Sequence, residues 1–444
     1  MRIQYAITGY LPEVYGGAEV YTHHLARAMR AQGHDASVTT LDFHYRRGRA
    51  IEGRYDGVPV HRFAFDFPKV PAPLYALQFY PELYDEARLH FRATRPNVVH
   101  VTNHWFMSSV ALAAMHENIP VVGTHVDFLW SCRNGRFLLP DASLCAMPPK
   151  AECRGCYPDV DDDDWEFVSE YRSKIIRTLA TGYAMHHCPS PIMADYISFA
   201  GASGEKVQVW PYGMPESIAK ADFTKKPSAK RRFAFVGRWN RIKGVEALFD
   251  AMKALADRDN LVWKIYGEPE IWNKNPRDAG LYVEAGKLPN VELAGSFEPS
   301  ALLALYRDID VLVLPSISPE NAPVAILEAL SLGTPVVCTD LPGMTCLVRD
   351  GQNGLTFPTG DAKALAERVA RLADDDKLFE SLADASVCPR GIDEDVAAFV
   401  KIYADATAPD ETAWSQESQD LVSQLRKTHD RRRSIMKAAM EISA

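Results

Sequence analysis

Short apolar runs alternate along this chain with longer segments whose apolar positions recur every three or four residues. This is the pattern of parallel strands joined by helices. IQYAIT (residues 3–8) reads as a first strand. YGGAEVYTHHLARAMRAQGHDASVTTL, which begins at Tyr15, reads as a glycine turn, a helix and a second strand. Val20, His24, Leu25 and Ala28 lie there at helical spacing, and Gly33 serves as the helix stop. VVHVTN (98–103), PVVGTHV (120–126) and VQVWPYGM (207–214) predict further strands. Residues 215–232, PESIAKADFTKKPSAKRR, have prolines and lysines but no strand pattern, and read as a linker. The same logic then repeats. FAFVGRWNRIKGVEALFDAMKAL is strand, glycine turn and helix, and VWKIYGE (262–268), VELAGS (291–296), VLVLPS (311–316) and TPVVCTD (334–340) predict the strands after it.

The reading is therefore α/β, with two successive Rossmann-like domains at 1–214 and 233–390. A Cys-rich insertion spans about 130–165, and residues 391–444 form C-terminal helices that pack back across the domains. A length of 444 residues suits more than one core. Ligands of such sheets sit at the carboxyl ends of the strands, and in a two-domain chain the cleft between the domains is the default site.

Composition narrows the class. With 47% hydrophobic and 24% charged residues the chain reads as an ordinary soluble protein, and its net charge of -9 argues against nucleic acid as a partner. The N-terminus reaches polar residues, Gly and Pro too early for a signal peptide, and no stretch approaches the ~18 apolar residues of a membrane span. These features point to the cytoplasm, where the eight cysteines are expected as thiols or metal ligands rather than disulfides.

Two stretches can carry chemistry. In VGRWNRIKGVEAL a strand ends in Gly237 and Arg238, and Lys243 and Gly244 follow at a helix start. Two cations beside a helix N-terminus make a seat for a diphosphate, since charge-assisted bonds and backbone N–H groups converge there. The plainer reading is a strand–helix turn with solvated basic residues. In SISPENAPVAILEALSLGTPVV, Glu320 stands where a loop enters a helix. Glu328 lies eight positions on, about 80° away around an ideal helix. A carboxylate in so apolar a run needs a partner, and a sugar or ribose diol offers two hydroxyl donors to one carboxylate.

GRWNRIKG followed some eighty residues later by PSISPENAPVAILEALSLGTPVV resembles the donor-site signature of family-4 retaining glycosyltransferases of the GT-B fold, G-R-x(4)-K-G and then E-x(7)-E-A. GGAE after the first strand, RPNVVHVTN and the His in GTHVDF agree, so the resemblance covers about residues 1–406. It implies two Rossmann-like domains with a cleft between them and transfer from a UDP- or GDP-sugar. The acceptor would be a glycan, a lipid-linked glycan or a small molecule. By it, Arg238 and Lys243 hold the donor diphosphate, Glu328 binds the ribose, Glu320 sits by the transferred sugar and His125 contacts that sugar near the reacting carbon. Gly16, Gly17 and Gly237 allow close backbone approach. N–H groups of Asn321, Ala322 and Val324 bond sugar hydroxyls, and Pro323 has none to offer. No metal is implied for the chemistry, because the two cations neutralise the leaving diphosphate. The sequence departs from the pattern twice. NAP replaces a frequent Phe-Gly after the first Glu, and Val126 separates His125 from Asp127. Alternatives with the same fold are a sugar-nucleotide 2-epimerase and a non-catalytic sugar-nucleotide binding module.

Cys132, Cys145, Cys153 and Cys156 are spaced C-x12-C-x7-C-x2-C, which suits a tetrahedral thiolate site for structural zinc. Thiols or disulfides are the alternative reading, and an iron–sulfur cluster a third. Asp161–Asp164 read as a solvated acidic loop. The aromatics of residues 62–84 read as core and loop packing, with an acceptor groove as the alternative. Near the C-terminus Leu421, Leu425, Ile435 and Met436 form an apolar stripe beside Arg431–Arg433, a pattern open to peripheral membrane contact.

Overall fold

The computed structural model describes residues 1–42, 50–65, 78–132, 135–139, 143–145, 151–158, 160–226, 228–269, 276–408, 419–427 and 430. The chain divides into two compact units, one of residues 1–210 with 393–444 and the other of residues 211–392.

In the first unit the strands are β1 (Arg2–Ala6), β2 (Asp35–Asp42), β3 (Ile51–Tyr55), β4 (Val58–Ala64), β5 (Val98–Val101), β6 (Val121–Thr124), β7 (Met185–Cys188) and β8 (Val207–Val209). They form one sheet in the order β3-β4-β2-β1-β5-β6-β7-β8, parallel except where β3 runs against β4. The helix Gly17–Ala31 stops as expected, with Gly33 at φ +84°. Its inward face is not the expected one, however. Leu25 is buried together with Tyr21, Thr22, Ala26 and Met29, whereas Val20, His24 and Ala28 lie at the margin. Polar anchors set this rotation, because Tyr21 donates to Asp395 Oδ2 at 2.7 Å and Thr22 to Thr102 at 2.8 Å. The helix Met107–His116 is buried on all sides from Met107 to Met115, as its Ser/Ala/Val/Leu composition allows.

The C-terminal helix Ile392–Asp405 contributes Asp395, Phe399 and Tyr403 to the first unit, and Leu421, Val422 and Leu425 join that unit's main apolar core with Phe79, Leu83 and Tyr84. Ile435, Met436 and Arg431–Arg433 lie outside the described residues. Of the aromatic segment, Phe63, Phe65, Phe79 and Tyr84 are core residues, and residues 66–77 lie outside the description.

The second unit holds β9 (Arg231–Val236), β10 (Leu261–Tyr266), β11 (Val291–Gly295), β12 (Val311–Leu314), β13 (Val336–Thr339) and β14 (Gly354–Phe357), all parallel, in the order β11-β10-β9-β12-β13-β14. Residues 215–232, expected as a linker, belong to this unit instead. They carry a helix at Glu216–Ala219, Ile218 and Phe223 enter the core cluster, and the Lys225 ammonium donates to the carbonyls of Tyr306 (3.0 Å) and Ile309 (2.9 Å). Two apolar residues among the lysines anchor the segment, and a half-buried ammonium holds to the carbonyls that satisfy it. Among the described residues no helix is long and apolar enough to cross a membrane.

Candidate active site

The predicted residues fall into two groups, one in each unit. In the second unit β9 runs into Gly237, after which Arg238 is exposed and Trp239 is buried with its Nε1 donating to the Asp278 carbonyl. Asn240 then caps a short turn, its side chain accepting from the Lys243 N–H at 3.2 Å. Gly244 follows at φ +72°, and a Cβ there would lie 1.8 Å from the Pro315 carbonyl oxygen, so only glycine lets the two turns touch. Just beyond, Ile317 N–H donates to the Ile242 carbonyl at 2.9 Å. These contacts lock the Lys243 turn against the loop that follows β12.

That lock brings the two motifs together. Lys243 Nζ donates to Glu320 Oε1 at 2.6 Å across 77 residues of chain, and Ser316 Oγ donates to the same oxygen at 2.8 Å. Gly343, at φ +87°, backs the loop so closely that a Cβ would sit 1.6 Å from the Glu320 carbonyl oxygen. Ala322 takes the left-handed conformation (φ +50°) although it has a side chain, and it is fully buried. Such a turn persists only where its surroundings enforce it. The helix itself is Val324–Ser331, with Pro323 as its N-cap. The first N–H groups of a helix have no partner four residues back; here that of Ile326 turns to the Pro323 carbonyl at 3.0 Å. The helical-face reading of Glu320 and Glu328 therefore fails. Glu320 lies before the left-handed turn and off the helix, and tertiary contacts rather than helical spacing hold it in place.

Glu328 is on the helix, and Tyr306 Oη donates to its Oε2 at 3.3 Å and to the Ala325 carbonyl at 2.9 Å. Burial pushes its carboxyl up to about 7, which the Tyr306 hydrogen bond opposes. Burial also drives the Tyr306 hydroxyl well above its ordinary range, so it remains a donor. Tyr306, Ser316, Asn240 and Gly343 are positioning residues that the sequence reading missed. Gly343, in DLPGMTC, is the one a turn signal marks.

In the first unit Gly16 is the extended N-cap of the helix Gly17–Ala31. His125 follows β6 and is only 1% exposed. Its ring stacks on His104 at 4.6 Å, meets the Trp130 edge at 4.6 Å, and has Nε2 2.9 Å from His186 Nδ1. The proton positions follow from the far end of this chain. The Ala180 carbonyl can only accept, so His186 Nε2, at 2.9 Å, carries a hydrogen. Burial keeps His186 neutral, with its pKa lowered to about 4, so its Nδ1 is bare and His125 Nε2 must donate to it. A parallel ladder runs beside this one. His187 Nε2 donates to the Trp210 carbonyl, Thr124 Oγ1 to His187 Nδ1, His100 Nε2 to Thr124, and Tyr403 Oη to His100 Nδ1. Asp127 lies apart from these ladders. It accepts from the Leu129 N–H at 3.0 Å, and burial raises its carboxyl to about 6.

Cys132 and Cys145 pack against the main core of the first unit, while Cys153 and Cys156 pack against the small Tyr157/Val160/Val168 cluster. Among the described residues no three of these thiols lie within 4.8 Å of one another. Nor are Asp161–Asp164 a loop. Asp161 is the N-cap and Asp162–Asp164 the first turn of the helix Asp162–Gly182, where negative charge favours the helix dipole.

The two halves of the chain match two family profiles, "Glycosyl transferase 4-like domain" over residues 16–213 and "Glycosyl transferases group 1" over residues 218–386. A D-inositol 3-phosphate glycosyltransferase of Corynebacterium glutamicum (strain R) is 34% identical over 158 residues, which are 35% of this chain and 38% of that protein. A putative colanic acid biosynthesis glycosyltransferase WcaL of Salmonella typhimurium is 29% identical over 221 residues, 48% of this chain and 53% of that one. The matches thus span about half or less of these relatives. Among solved structures, Anabaena Alr3699/HepE in complex with UDP and glucose superposes with TM-score 0.67 at 16% identity, covering 91% of this chain and all of that one. The sucrose-phosphate synthase of Thermosynechococcus elongatus superposes with TM-score 0.66 at 18% identity over 98% of this chain and all of that one. Nothing in these findings supports the 2-epimerase or the non-catalytic reading.

Proposed function

Because the chain belongs to the family-4 glycosyltransferases of the GT-B fold, built of two parallel-sheet α/β domains, we propose that it transfers a hexose from a nucleotide diphosphate sugar with retention at the anomeric carbon. The acceptor would be a glycan, a lipid-linked glycan or a small molecule. The observation that carries the proposal is the 2.6 Å contact between Lys243 and Glu320. It joins the candidate diphosphate seat to the candidate sugar seat in one place. Glu320 is the counter-ion of Lys243, and the arriving diphosphate takes over that ammonium, with Arg238 beside it in the same turn.

The two cations then stabilise negative charge that builds on the departing diphosphate, which is the work a metal ion does in other transferases. Glu328 accepts from the ribose diol, and the helix N-terminus after Pro323 supplies N–H donors to the sugar. The leaving phosphate takes the proton of the acceptor hydroxyl on the same face. His125 joins on the family resemblance. The solved neighbour complexed with UDP and glucose makes UDP-sugars the first donors to try. The proposal puts the reaction in the cytoplasm, with no more than peripheral membrane contact.

Calorimetry with a panel of UDP- and GDP-sugars tests this reading. One donor should bind saturably to the wild type, and Lys243→Ala should lose at least about tenfold in affinity, as removal of a charged hydrogen-bond partner does. Equal binding by the variant removes Lys243 from the site and the proposal with it.

A further inference from the structure

A second cluster of polar side chains lies at the far edge of the first sheet, among residues that the transfer chemistry does not use. The β3–β4 hairpin pairs Glu52 directly across from His61, and the helix Pro81–Thr94 lays His90 against the same spot. The two imidazole rings are 4.0 Å apart between centroids and tilted by 32°, and His61 Nδ1 is 2.5 Å from Glu52 Oε1. One ligand atom from each of the three residues lies within 4.8 Å of the others, the one such group among the described residues. They line a depression of about 300 Å³.

Two further observations point to an occupant. His61 Nε2 is buried and has no hydrogen-bond partner among the described residues, a state that costs free energy unless something occupies the group. Behind His90, the Gln4 side-chain amide lies 2.9 Å from Nε2. As placed, the Gln4 nitrogen donates to Nε2; with the amide turned to present its oxygen it would accept the Nε2 hydrogen, the outer hydrogen bond of a ligating imidazole, and leave Nδ1 for an ion.

We propose that Glu52, His61 and His90 bind a borderline divalent cation of the zinc class, which staples the β3–β4 hairpin to the helix Pro81–Thr94. Two imidazoles and one carboxylate form a nitrogen–oxygen set suited to such ions, with a fourth position left to water. Donor atoms around a tetrahedral zinc stand about 3.3 Å apart. The 2.5 Å contact between Glu52 and His61 Nδ1 is therefore a hydrogen bond, and to join an ion held on the unpartnered Nε2 the carboxylate must leave it. With a side chain 75% exposed, Glu52 can do so at little cost.

Equilibrium dialysis of the full-length protein against Zn²⁺, with metal content measured by atomic emission, tests the site. The wild type should hold one equivalent more than His90→Gln, and Glu52→Gln, whose exposed position cannot unfold the protein, should weaken that equivalent by about tenfold or more. Co²⁺ in place of Zn²⁺ separates this site from the cysteines, because a thiolate ligand adds a sulfur-to-cobalt charge-transfer band and this site has none. Equal metal content in the wild type and both variants overturns the proposal. So does an extra equivalent that carries the thiolate band, or a wild-type dissociation constant above about 1 mM.

Discussion

The Lys243–Glu320 site of the second unit and the His125 cluster of the first are both built around predicted functional residues, and they are built in opposite ways. The first of these is a junction of turns. Its side chains are charged and partly open, and their placement depends on backbone contacts so tight that Gly244 and Gly343 admit no Cβ. The His125 cluster is an interior. Its imidazoles are buried, burial keeps His100, His104, His125 and His186 neutral, and their orientation is set by ladders that end on the Ala180 and Trp210 carbonyls. A seat for a charged ligand has to stay empty and correctly shaped before the ligand comes, so loop backbone fixes it. A neutral hydrogen-bonding ring needs only the correct tautomer, and a buried carbonyl can set that from a distance.

If the contrast is real, the largest effect should come from one added methyl group. Gly343→Ala must move the Glu320 carbonyl. The expected result is about a 100-fold loss in kcat/KM, with ~2 kcal/mol of stability lost, or roughly 4–8 °C in melting temperature. Donor kinetics at the wild-type level would show that the loop is not held as described.

Glu328→Gln comes next. It should weaken donor binding by roughly 10- to 100-fold, the worth of hydrogen bonds to a buried charged group. Its effect on stability should have the opposite sign. Because Glu328 in the folded protein keeps its proton up to about 7, above the ordinary 4.5, its favourable contribution is complete below 4.5 and fades as pH rises through 7. The Gln variant should therefore melt higher than the wild type at pH 8 and show a flatter profile between pH 5 and 8. In the wild type, donor affinity should rise across the same window as the carboxylate forms. A variant that melts lower at pH 8 would contradict the buried-carboxylate account.

The smallest effect belongs to the first unit. His186→Phe removes the acceptor that fixes the His125 tautomer, and kcat should fall by about three- to tenfold with donor affinity unchanged. His186→Gln, which can accept from His125 and donate to Ala180, should restore it. Loss of melting temperature with no kinetic change would make the cluster purely structural.

The alternating α/β architecture was legible because most strands are continuous apolar runs bounded by Gly or Pro. What escaped has physical reasons. β7 reads MHHC, and its histidines are buried by partners far along the chain that no local pattern reveals. β3 and β4 flank an Asp56-Gly57 turn with φ of +46° and +78°, a hairpin signal that stood in the sequence unread. The charged residues of the candidate site were visible as motifs, but their contact was not. Lys243 and Glu320, 77 positions apart, meet because Gly244 and Gly343 lack the Cβ that would keep the loops apart.

The first unit draws on both ends of the chain, with the second set between them as one uninterrupted stretch. Order of synthesis then matters. Tyr403, which completes the ladder at His100, emerges from the ribosome 303 residues after its partner. The first unit receives the helix that carries Asp395, Phe399 and Tyr403 only after residues 211–392 have been synthesised. A nascent chain thus passes through a stage in which its middle is mature and its beginning is not. That is the interval in which a chaperone holding the N-terminal sheet would matter most.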